Sequence, residues 1–477
     1  MKNSRTNLLK KLCAVSLAAA MLASAGLTEA GTYIGTAVQV DAVTSAPVLP
    51  VACEFDFEAN EDGSITITKF IGDETNVVIP SKIDGKAVTS IGSYAFYGCT
   101  SLKEVTIGNG VTNIGEGAFV NCTNLTDVAF GNSVTNIGSN AFYGTSWYYN
   151  QPDGVVYAGK VAYKYKGEMP KNTKITLKDG TIGIAGLAFS DYNYTNNLIN
   201  LTGITIPDSV TNIGDRAFWG CTNLTDVTIG NGVTSIGKSA FESCVSFNAK
   251  IPNSVTNIGD RAFCGCTNLT DVTIGNSVTS IEYGAFRYCT SLKEINVDKN
   301  NKNYSSVNGV LFNKDKTTLI QYPEGKTDTE YSIPNSVTSI GDSTFYNCTS
   351  LTEVTIGSSV TSIDSDAFYG CTNLKEINVN KNNKNYSSAN GVLFNKDKTT
   401  LIKYPEGKTD IEYSIPNSVT SIENSAFHYC ESLTKVSIGN GVTSIGDRAF
   451  LNCAGLKEVT IPDSVTRQRI LFVHIEL

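Results

Sequence analysis

Residues 224–244 read LTDVTIGNGVTSIGKSAFESC, and residues 269–289 repeat the pattern as LTDVTIGNSVTSIEYGAFRYC. In the first copy Val227 and Ile229 alternate with polar residues, which is typical of a short strand with one buried face. A Gly-Asn-Gly turn then ends the strand. The apolar leg that follows, residues 233–241, is too short for an independent helix. We expect this second leg to be extended, turn-like or 3₁₀.

The pattern recurs with a base period of 23 residues, and a phenylalanine marks each copy. These phenylalanines are Phe96, Phe119, Phe142, Phe189, Phe218, Phe241, Phe263, Phe286, Phe345, Phe368, Phe427 and Phe450. One unit of 23 residues cannot bury its own apolar face, so we expect the coils to stack and join their cores into one column. The sequence therefore predicts a β-rich solenoid with a parallel sheet and short turn, 3₁₀ or helical legs.

The repeat L-x2-V-x-I-x3-V-x2-I-x3-A-F-x2-C resembles that of the BspA-like branch of leucine-rich repeat proteins, a family of bacterial and protist surface proteins. The resemblance extends from Leu102 to about Thr466. It implies a leucine-rich-repeat solenoid with adhesion or host interaction at the cell surface as its role. In this family the opening segment caps the first coil.

Longer spacings between the phenylalanines predict coils that carry hairpins. Residues 294–340 and 376–422 are near-identical copies, and each contains NGVLFNKDKTTLI. Strand-forming residues on both sides of the polar turn at 313–316 predict a β-hairpin in the first copy. We predict such insertions near 147–170, 299–328 and 381–410, the first being a diverged version.

The ends of the chain differ from the repeats. Four cations, an uncharged apolar run and small residues follow one another at the N-terminus, in the order of a secretory signal peptide. An Asp-Gly turn at 62–63 predicts an N-terminal hairpin. The predicted segments are a signal peptide at 1–30, a flexible lead-in at 31–54, the cap and first coil at 55–101, the repeat solenoid at 102–466 and an aberrant tail at 467–477.

The tail leaves two alternatives open. Arg467-Gln468-Arg469 interrupts the repeat where Ser-Ile-Gly is expected. One hypothesis is a truncated or frameshifted end, because a terminal cap is missing. The other is that residues 470–475 alternate as a strand against the last coil.

Composition excludes several classes of function. The chain has 37 basic and 45 acidic side chains, and removal of residues 1–30 changes its net charge from -8 to -11. Such a chain has no electrostatic footprint for nucleic acid, and no run after residue 31 is long and apolar enough to span a membrane. His428 and His474 are the only histidines, and no serine or cysteine is placed beside them for nucleophilic catalysis. We therefore expect no enzymatic activity, no cofactor and no metal site.

Ten cysteines share one position of the repeat. They are Cys99, Cys122, Cys221, Cys244, Cys266, Cys289, Cys348, Cys371, Cys430 and Cys453. Side chains in register point the same way, so a disulfide between adjacent coils would need distortion, and we expect a buried ladder of free thiols. The Cys264-Gly265-Cys266 pair, with no histidine near it, is a weak metal signal that we attribute to chance.

The outward positions of the strands are the candidate binding site. A row of acidic and short polar side chains either is a solvated surface or binds a basic or extended partner. The candidate partner-binding residues are Asp127, Asp226, Thr228, Asp271, Thr273, Glu294, Glu353 and Glu376. Aromatic residues after the repeat phenylalanine form a second candidate contact set: Tyr97, Tyr143, Trp219, Tyr346 and Tyr369.

These observations predict an exported, non-enzymatic protein, secreted or held at the cell surface, which binds an extracellular protein or glycoconjugate. The alternative is a structural spacer in a larger surface protein whose C-terminal anchoring or catalytic module is missing. A secreted hydrolase is disfavoured by the scarcity of histidine.

Overall fold

The computed structural model describes residues 55–190, 198–248 and 250–468. The predicted signal peptide, the lead-in and residues 469–477 of the tail lie outside this part of the chain. The described residues form two compact units, residues 55–133 with 142–149 and residues 134–141 with 150–468. No helix in the described ranges combines the length and hydrophobicity that a bilayer span requires.

The first unit starts with a hairpin and continues as stacked coils. Its elements are β1 (Phe55–Ala59), β2 (Ile65–Phe70), β3 (Asn76–Val78), β4 (Lys82–Ile83), β5 (Lys86–Ile91), β6 (Glu104–Thr106), β7 (Asn113–Ile114), β8 (Asp127–Ala129) and the helix α1 (Ser146–Tyr149). Strand β1 pairs antiparallel with β2, and β2 and β7 pair parallel with β5 on its two sides. The predicted N-terminal hairpin is confirmed, and Gly63 takes the left-handed conformation in its loop at φ 81°.

The second unit is a solenoid of short strands joined by turns. Its first elements are β9 (Asn136–Ile137), β10 (Gly154–Ala158), β11 (Val161–Lys166), β12 (Thr173–Thr176), β13 (Gly183–Ile184), the 3₁₀ turn η1 (Leu198–Asn200), β14 (Leu201–Ile206), β15 (Asn212–Ile213), β16 (Asp226–Ile229), β17 (Ser235–Ile236), β18 (Asn257–Ile258), β19 (Asp271–Ile274), β20 (Ser280–Ile281), β21 (Glu294–Val297), β22 (Tyr304–Val307), β23 (Val310–Asn313) and β24 (Thr318–Gln321). The rest are β25 (Glu330–Ser332), β26 (Ser339–Ile340), β27 (Glu353–Ile356), β28 (Ser362–Ile363), β29 (Glu376–Val379), β30 (Tyr386–Ala389), β31 (Val392–Asn395), β32 (Thr400–Lys403), β33 (Glu412–Ser414), β34 (Ser421–Ile422), β35 (Lys435–Ser437), β36 (Ser444–Ile445), β37 (Glu458–Thr460) and β38 (Arg467–Gln468). Apart from the hairpins, the strands pair in parallel, so the predicted β-rich solenoid is confirmed.

The strands of this unit form two kinds of sheet. Two-residue strands, which end in isoleucine except in β38, extend the hairpin sheets, in the orders β10-β11-β13-β15-β17-β18-β20, β22-β23-β24-β26-β28 and β30-β31-β32-β34-β36-β38. The strands of the other leg, which we call the primary sheet, form short groups: β12-β14-β16, β19-β21, β25-β27-β29 and β33-β35-β37. Equivalent repeat positions face each other across these pairs, as Thr205 faces Thr228. Each repeat position therefore generates a row of similar side chains.

The repeat phenylalanines form a ladder in the core. Phe218 and Phe241 stack with ring centroids 5.0 Å apart, and Phe241 and Phe263 with centroids 5.5 Å apart. All three are fully buried. Stacked aromatic pairs are stabilised beyond their burial alone, so this ladder holds each coil to the next.

The hairpin-bearing coils divide the core. Leu311 packs into the cluster of the preceding coils, whereas Val310 and Phe312 pack into the cluster of the following coils. A pleated strand sends alternate side chains to opposite faces, so β23 separates two cores. The core consequently differs from the single column that the repeat predicts, and β31 divides it again in the same way.

Each of the two longer hairpins has one strand more than predicted. Strand β22 pairs antiparallel with β23, which pairs antiparallel with β24. A two-residue turn joins β22 to β23, with Asn308 at φ 50° and Gly309 at φ 76°. Two positive φ angles in succession are the signature of a type I′ turn, for which Asn-Gly is the preferred sequence.

Candidate interaction face

Outward carboxylates of the primary sheet lie side by side because the strands are in register. Glu353 lies between Glu330 on one neighbouring strand and Glu376 on the other. Asp271 likewise faces Glu294. Neighbouring strands are about 4.8 Å apart, so these pairs bring like charges close together without a cation between them.

Lysines neutralise the same row at other places. Lys174 Nζ lies 2.9 Å from Asp226 Oδ2, and Lys435 Nζ lies 2.6 Å from Glu458 Oε1. Other carboxylates of the primary sheet have no lysine or arginine nitrogen within 4.0 Å in the described part of the chain. Five of these carboxylates, all between β19 and β29, are called the acidic row below: Asp271, Glu294, Glu330, Glu353 and Glu376.

Short polar residues beside the acidic row orient its carboxylates. The Asn378 side chain donates to Glu353 Oε1 at 2.8 Å and to Glu376 Oε2 at 3.1 Å. Asn296 donates to Glu294 Oε2 at 3.2 Å. Both asparagines occupy the short polar position two residues after the acid, where other coils carry threonine.

The acidic row is divided between two strand groups, β19-β21 and β25-β27-β29, and a hairpin turn lies against the last strand of the first group. The backbone N–H of Ile295 donates to the carbonyl oxygen of Gly309 at 2.9 Å, so the turn between β22 and β23 lies against β21. A Cβ at Gly309 would lie 3.0 Å from the Cα of Glu294. Glycine therefore permits this close approach as well as the positive φ angle.

The remaining predicted polar residues lie on exposed strand faces. Asp127 is exposed in the first unit, opposite Glu104. In the second unit Thr228 and Thr273 are exposed, and Thr273 faces Asn296. The structure does not gather these residues into a pocket, and any partner would meet them as an open surface.

The five predicted aromatic contacts separate into three groups. Tyr97 is 60% exposed and Tyr143 is 43% exposed, both in the first unit, whereas Trp219 and Tyr369 are partly buried. Tyr346 is only 3% exposed, so its side chain is not available to a partner. It is covered by the stacked Tyr369 ring, with centroids 5.2 Å apart, and by the Arg287 guanidinium 3.6 Å from its ring centroid.

The cysteines of the repeat form a ladder of hydrogen bonds that the sequence analysis missed. Cys244 Sγ donates to the carbonyl oxygen of Phe218 at 3.0 Å, and Cys371 Sγ to that of Phe345 at 3.0 Å. All eleven cysteines in the described ranges are free thiols. Burial raises the pKa of the Cys221 thiol to about 12, which keeps it protonated and able to donate.

We predict that the ten ladder cysteines are all free in the purified protein. Titration of thiols after denaturation without reductant should give at least ten per chain, and the native protein should react far more slowly because only the exposed thiolate is reactive. Fewer than ten thiols before reduction, with a higher count after it, would contradict the predicted ladder. Reduced, denatured protein is the matched control.

His428 packs against aromatic side chains inside the fold. It is buried, and its ring lies 4.6 Å from the Tyr369 ring. Burial and, after it, the positive charges of Lys403 and Arg448 lower the pKa of His428 to about 4. The described residues hold no group of three or more histidine, cysteine or acidic side chains arranged to bind a metal ion, and His474 lies outside them.

Comparison with known proteins gives one family match. The family described as BspA type leucine rich repeat region (6 copies) matches residues 74–191, 187–315, 325–414 and 408–470. No functionally curated protein compared with the chain matches it.

Solved structures of bacterial leucine-rich proteins are similar to the chain. A leucine rich cell surface protein from Faecalibacterium prausnitzii A2-165 is 30% identical, with 85% of this chain and 93% of that chain covered and a TM-score of 0.46. A leucine-rich repeat protein from Eubacterium ventriosum ATCC 27560 is 21% identical, with 86% and 89% covered and a TM-score of 0.34. The pneumococcal vaccine antigen PcpA is 20% identical, with 91% and 94% covered and a TM-score of 0.38.

Proposed function

The chain belongs to the BspA-type leucine-rich repeat family, and we propose that it is an exported, non-enzymatic protein that binds a basic partner protein at the cell surface through its acidic row. Export rests on the sequence of residues 1–30, whose basic, apolar and small segments have the order of a signal peptide. The protein named as similar from Faecalibacterium prausnitzii is described as a cell surface protein, which supports the same location.

The observation that carries this function is the unpaired acidic row. Like charges opposite each other on adjacent strands destabilise a sheet, yet Glu330, Glu353 and Glu376 occupy three consecutive strands. A basic partner would relieve their repulsion and gain from a field that also steers its approach. Repeat proteins bind through such extended surfaces.

The chemistry of the row favours a protein over an anionic glycan. Sulfated or carboxylated sugars would meet the same repulsion as nucleic acid does. The exposed Tyr97 and Tyr143 rings, which suit contact with protein or neutral sugar, lie in the first unit and form a second candidate surface.

Reversing three charges of the acidic row tests the proposal. The triple variant Glu330→Lys, Glu353→Lys and Glu376→Lys should lose at least tenfold in affinity for basic host matrix proteins immobilised on a sensor surface. The wild-type affinity should also fall steeply with salt, because exposed charges are screened.

A control with equal charge change separates the row from net charge. Glu61→Lys, Asp315→Lys and Asp397→Lys reverse three exposed acids in turns outside the primary sheet, and this control should bind as the wild type does. Equal affinities of wild type and the acidic-row variant would refute the row as the binding site.

A further inference from the structure

One position is equivalent in the three hairpin-bearing coils and is lysine in two of them and glutamine in the third. Lys164, Gln321 and Lys403 each lie two residues after the strand residue that faces the isoleucine of the next coil. The three coils therefore provide a comparison within a single chain.

Both lysines turn inward, and their ammonium groups donate to equivalent backbone carbonyl oxygens. Lys403 Nζ donates to the carbonyl oxygen of Ser425 at 3.3 Å, and Lys164 Nζ to that of the equivalent Leu187 at 3.4 Å. Both lysine side chains are buried. Lys403 also lies 3.1 Å from Oε1 of the buried Glu406, so each ammonium is bound inside the fold.

Gln321 has no ammonium group to put in this place. A cavity of about 110 Å³ lies beside it, which is several times the volume that one water molecule needs. Ser343, the equivalent of Ser425, lines the cavity, and so do the buried side chains of Phe286 and Leu311. Exposed residues form its rim, namely Glu282, Tyr283 and Asp342, and the partly buried Arg287 also lines it.

A buried carboxylate of the same hairpin-bearing coil lacks the cation that its counterpart has. Glu324 is equivalent to Glu406 and is 5% exposed. Its Oε1 accepts from the backbone N–H of Tyr288 at 2.6 Å, and in the described residues no lysine or arginine nitrogen lies within 4.0 Å of it. Its Oε2 has no hydrogen-bond partner, and neither has Oε2 of Glu406. The difference between the two copies is the lysine ammonium, which lies beside Glu406 alone.

Burial raises the pKa of both carboxyls, Glu324 and Glu406. Burial raises the pKa of Glu324 to about 7, against the lowering effect of the Tyr288 amide and of Arg287. Arg287 does not take the place of the lysine, because its guanidinium donates to the Tyr283 hydroxyl at 2.8 Å and lies over the Tyr346 ring. An unpaired buried charge is costly, and a bound cation would offset that cost.

We propose that the cavity beside Gln321 binds a primary ammonium group on an unbranched alkyl chain, in the place that the Lys403 side chain fills in the next hairpin-bearing coil. The ammonium donates to the Ser343 carbonyl oxygen and to Glu324, as Lys403 does to Ser425 and Glu406. The alkyl chain lies against Phe286 and Leu311. Its source is either a lysine side chain of a partner protein or a free alkylamine.

Calorimetric titration of the full chain with n-butylammonium chloride, at constant ionic strength, tests the site. One equivalent should bind saturably to the wild type, and tetramethylammonium, which has no N–H donor, should not bind. Gln321→Lys should abolish binding, because its own ammonium fills the cavity, and Glu324→Gln should weaken binding at least tenfold. Asp315→Asn has the same charge change as Gln321→Lys, in an exposed turn of the same hairpin, and should bind normally.

The outcomes separate this site from the acidic row. Absence of saturable binding to the wild type, or unchanged binding to Gln321→Lys, would overturn the proposal even if Glu324→Gln fails to fold. The acidic-row triple variant should still bind the amine, so either proposal can fail without the other. Tighter binding of Nα-acetyl-lysine methylamide than of n-butylammonium would assign the site to a partner's lysine, and the reverse order would assign it to a free amine.

Discussion

Replacing Phe241 with alanine is expected to lower the free energy of unfolding by about 3–5 kcal/mol, the usual cost of truncating a buried phenylalanine. Phe241 is fully buried, and its ring contacts the rings of Phe218, Phe247 and Phe263 at centroid distances of 5.0, 4.8 and 5.5 Å. Its removal leaves a cavity between two coils and breaks the ladder in both directions. Since each coil of a solenoid is held by its neighbours, both interfaces of this coil should weaken.

Urea titration followed by circular dichroism measures this effect, and Thr228→Ala in the same coil is its matched control. Thr228 is exposed on the outer face of β16, so its truncation should change the free energy of unfolding by less than about 0.5 kcal/mol. Similar losses for the two variants would mean that the assignment of inner and outer faces is wrong.

The parts of the fold that the sequence could predict are those that depend on the repeat period or on a short local pattern. A spacing of 23 residues between phenylalanines requires equivalent residues to meet on successive coils, and Phe218 and Phe241 do stack. The polar turn after Val310-Leu311-Phe312 likewise marked the hairpin of β23 and β24. The period is read from the spacing of the copies and the hairpin from one short stretch, so neither needs knowledge of distant contacts.

The strand β22 was missed although its signal was present. Asn308-Gly309 is the preferred sequence of a two-residue hairpin turn. The segment before it, Tyr304–Val307, has only four residues, most of them polar, and so gives a weak strand signal. Strand propensity at such positions depends on the neighbouring strand. Only the pairing with β23 shows that these four residues are extended.

The sequence could predict that the acidic side chains form a row, but not which of them are paired with lysines. The alternation within one strand placed Asp226 and Glu353 on the outer face correctly. That Lys174 neutralises Asp226 depends on Gly203, which lies between them and has no side chain. Contacts of this kind join residues 52 positions apart, and repeat spacing alone does not reveal which coils are neighbours across an insertion.

Asn301 has the other large expected effect, because it is a fully buried polar side chain with all its bonds made to backbone. Its amide donates to the carbonyl oxygens of Gly275 at 2.7 Å and Val278 at 2.9 Å. Its Oδ1 accepts from the N–H groups of Asn303 and Tyr304, both at 2.8 Å. The side chain thus ties the start of a hairpin-bearing coil to the preceding coil, and Asn383 does the same in the second copy.

Asn301→Ala is expected to lower the free energy of unfolding by about 3–5 kcal/mol, because each buried backbone group left without a partner costs about 1–3 kcal/mol and water can satisfy only some of the four. Asn300→Ala is the matched control: Asn300 is the adjacent, exposed asparagine, and its truncation should cost less than about 0.5 kcal/mol. Urea titration gives the free energies, and hydrogen exchange should show faster exchange at the amides of Asn303 and Tyr304 in Asn301→Ala alone. Unaltered protection of these two amides would show that the hairpin-bearing coil is held by its apolar contacts and that the buried asparagine is dispensable.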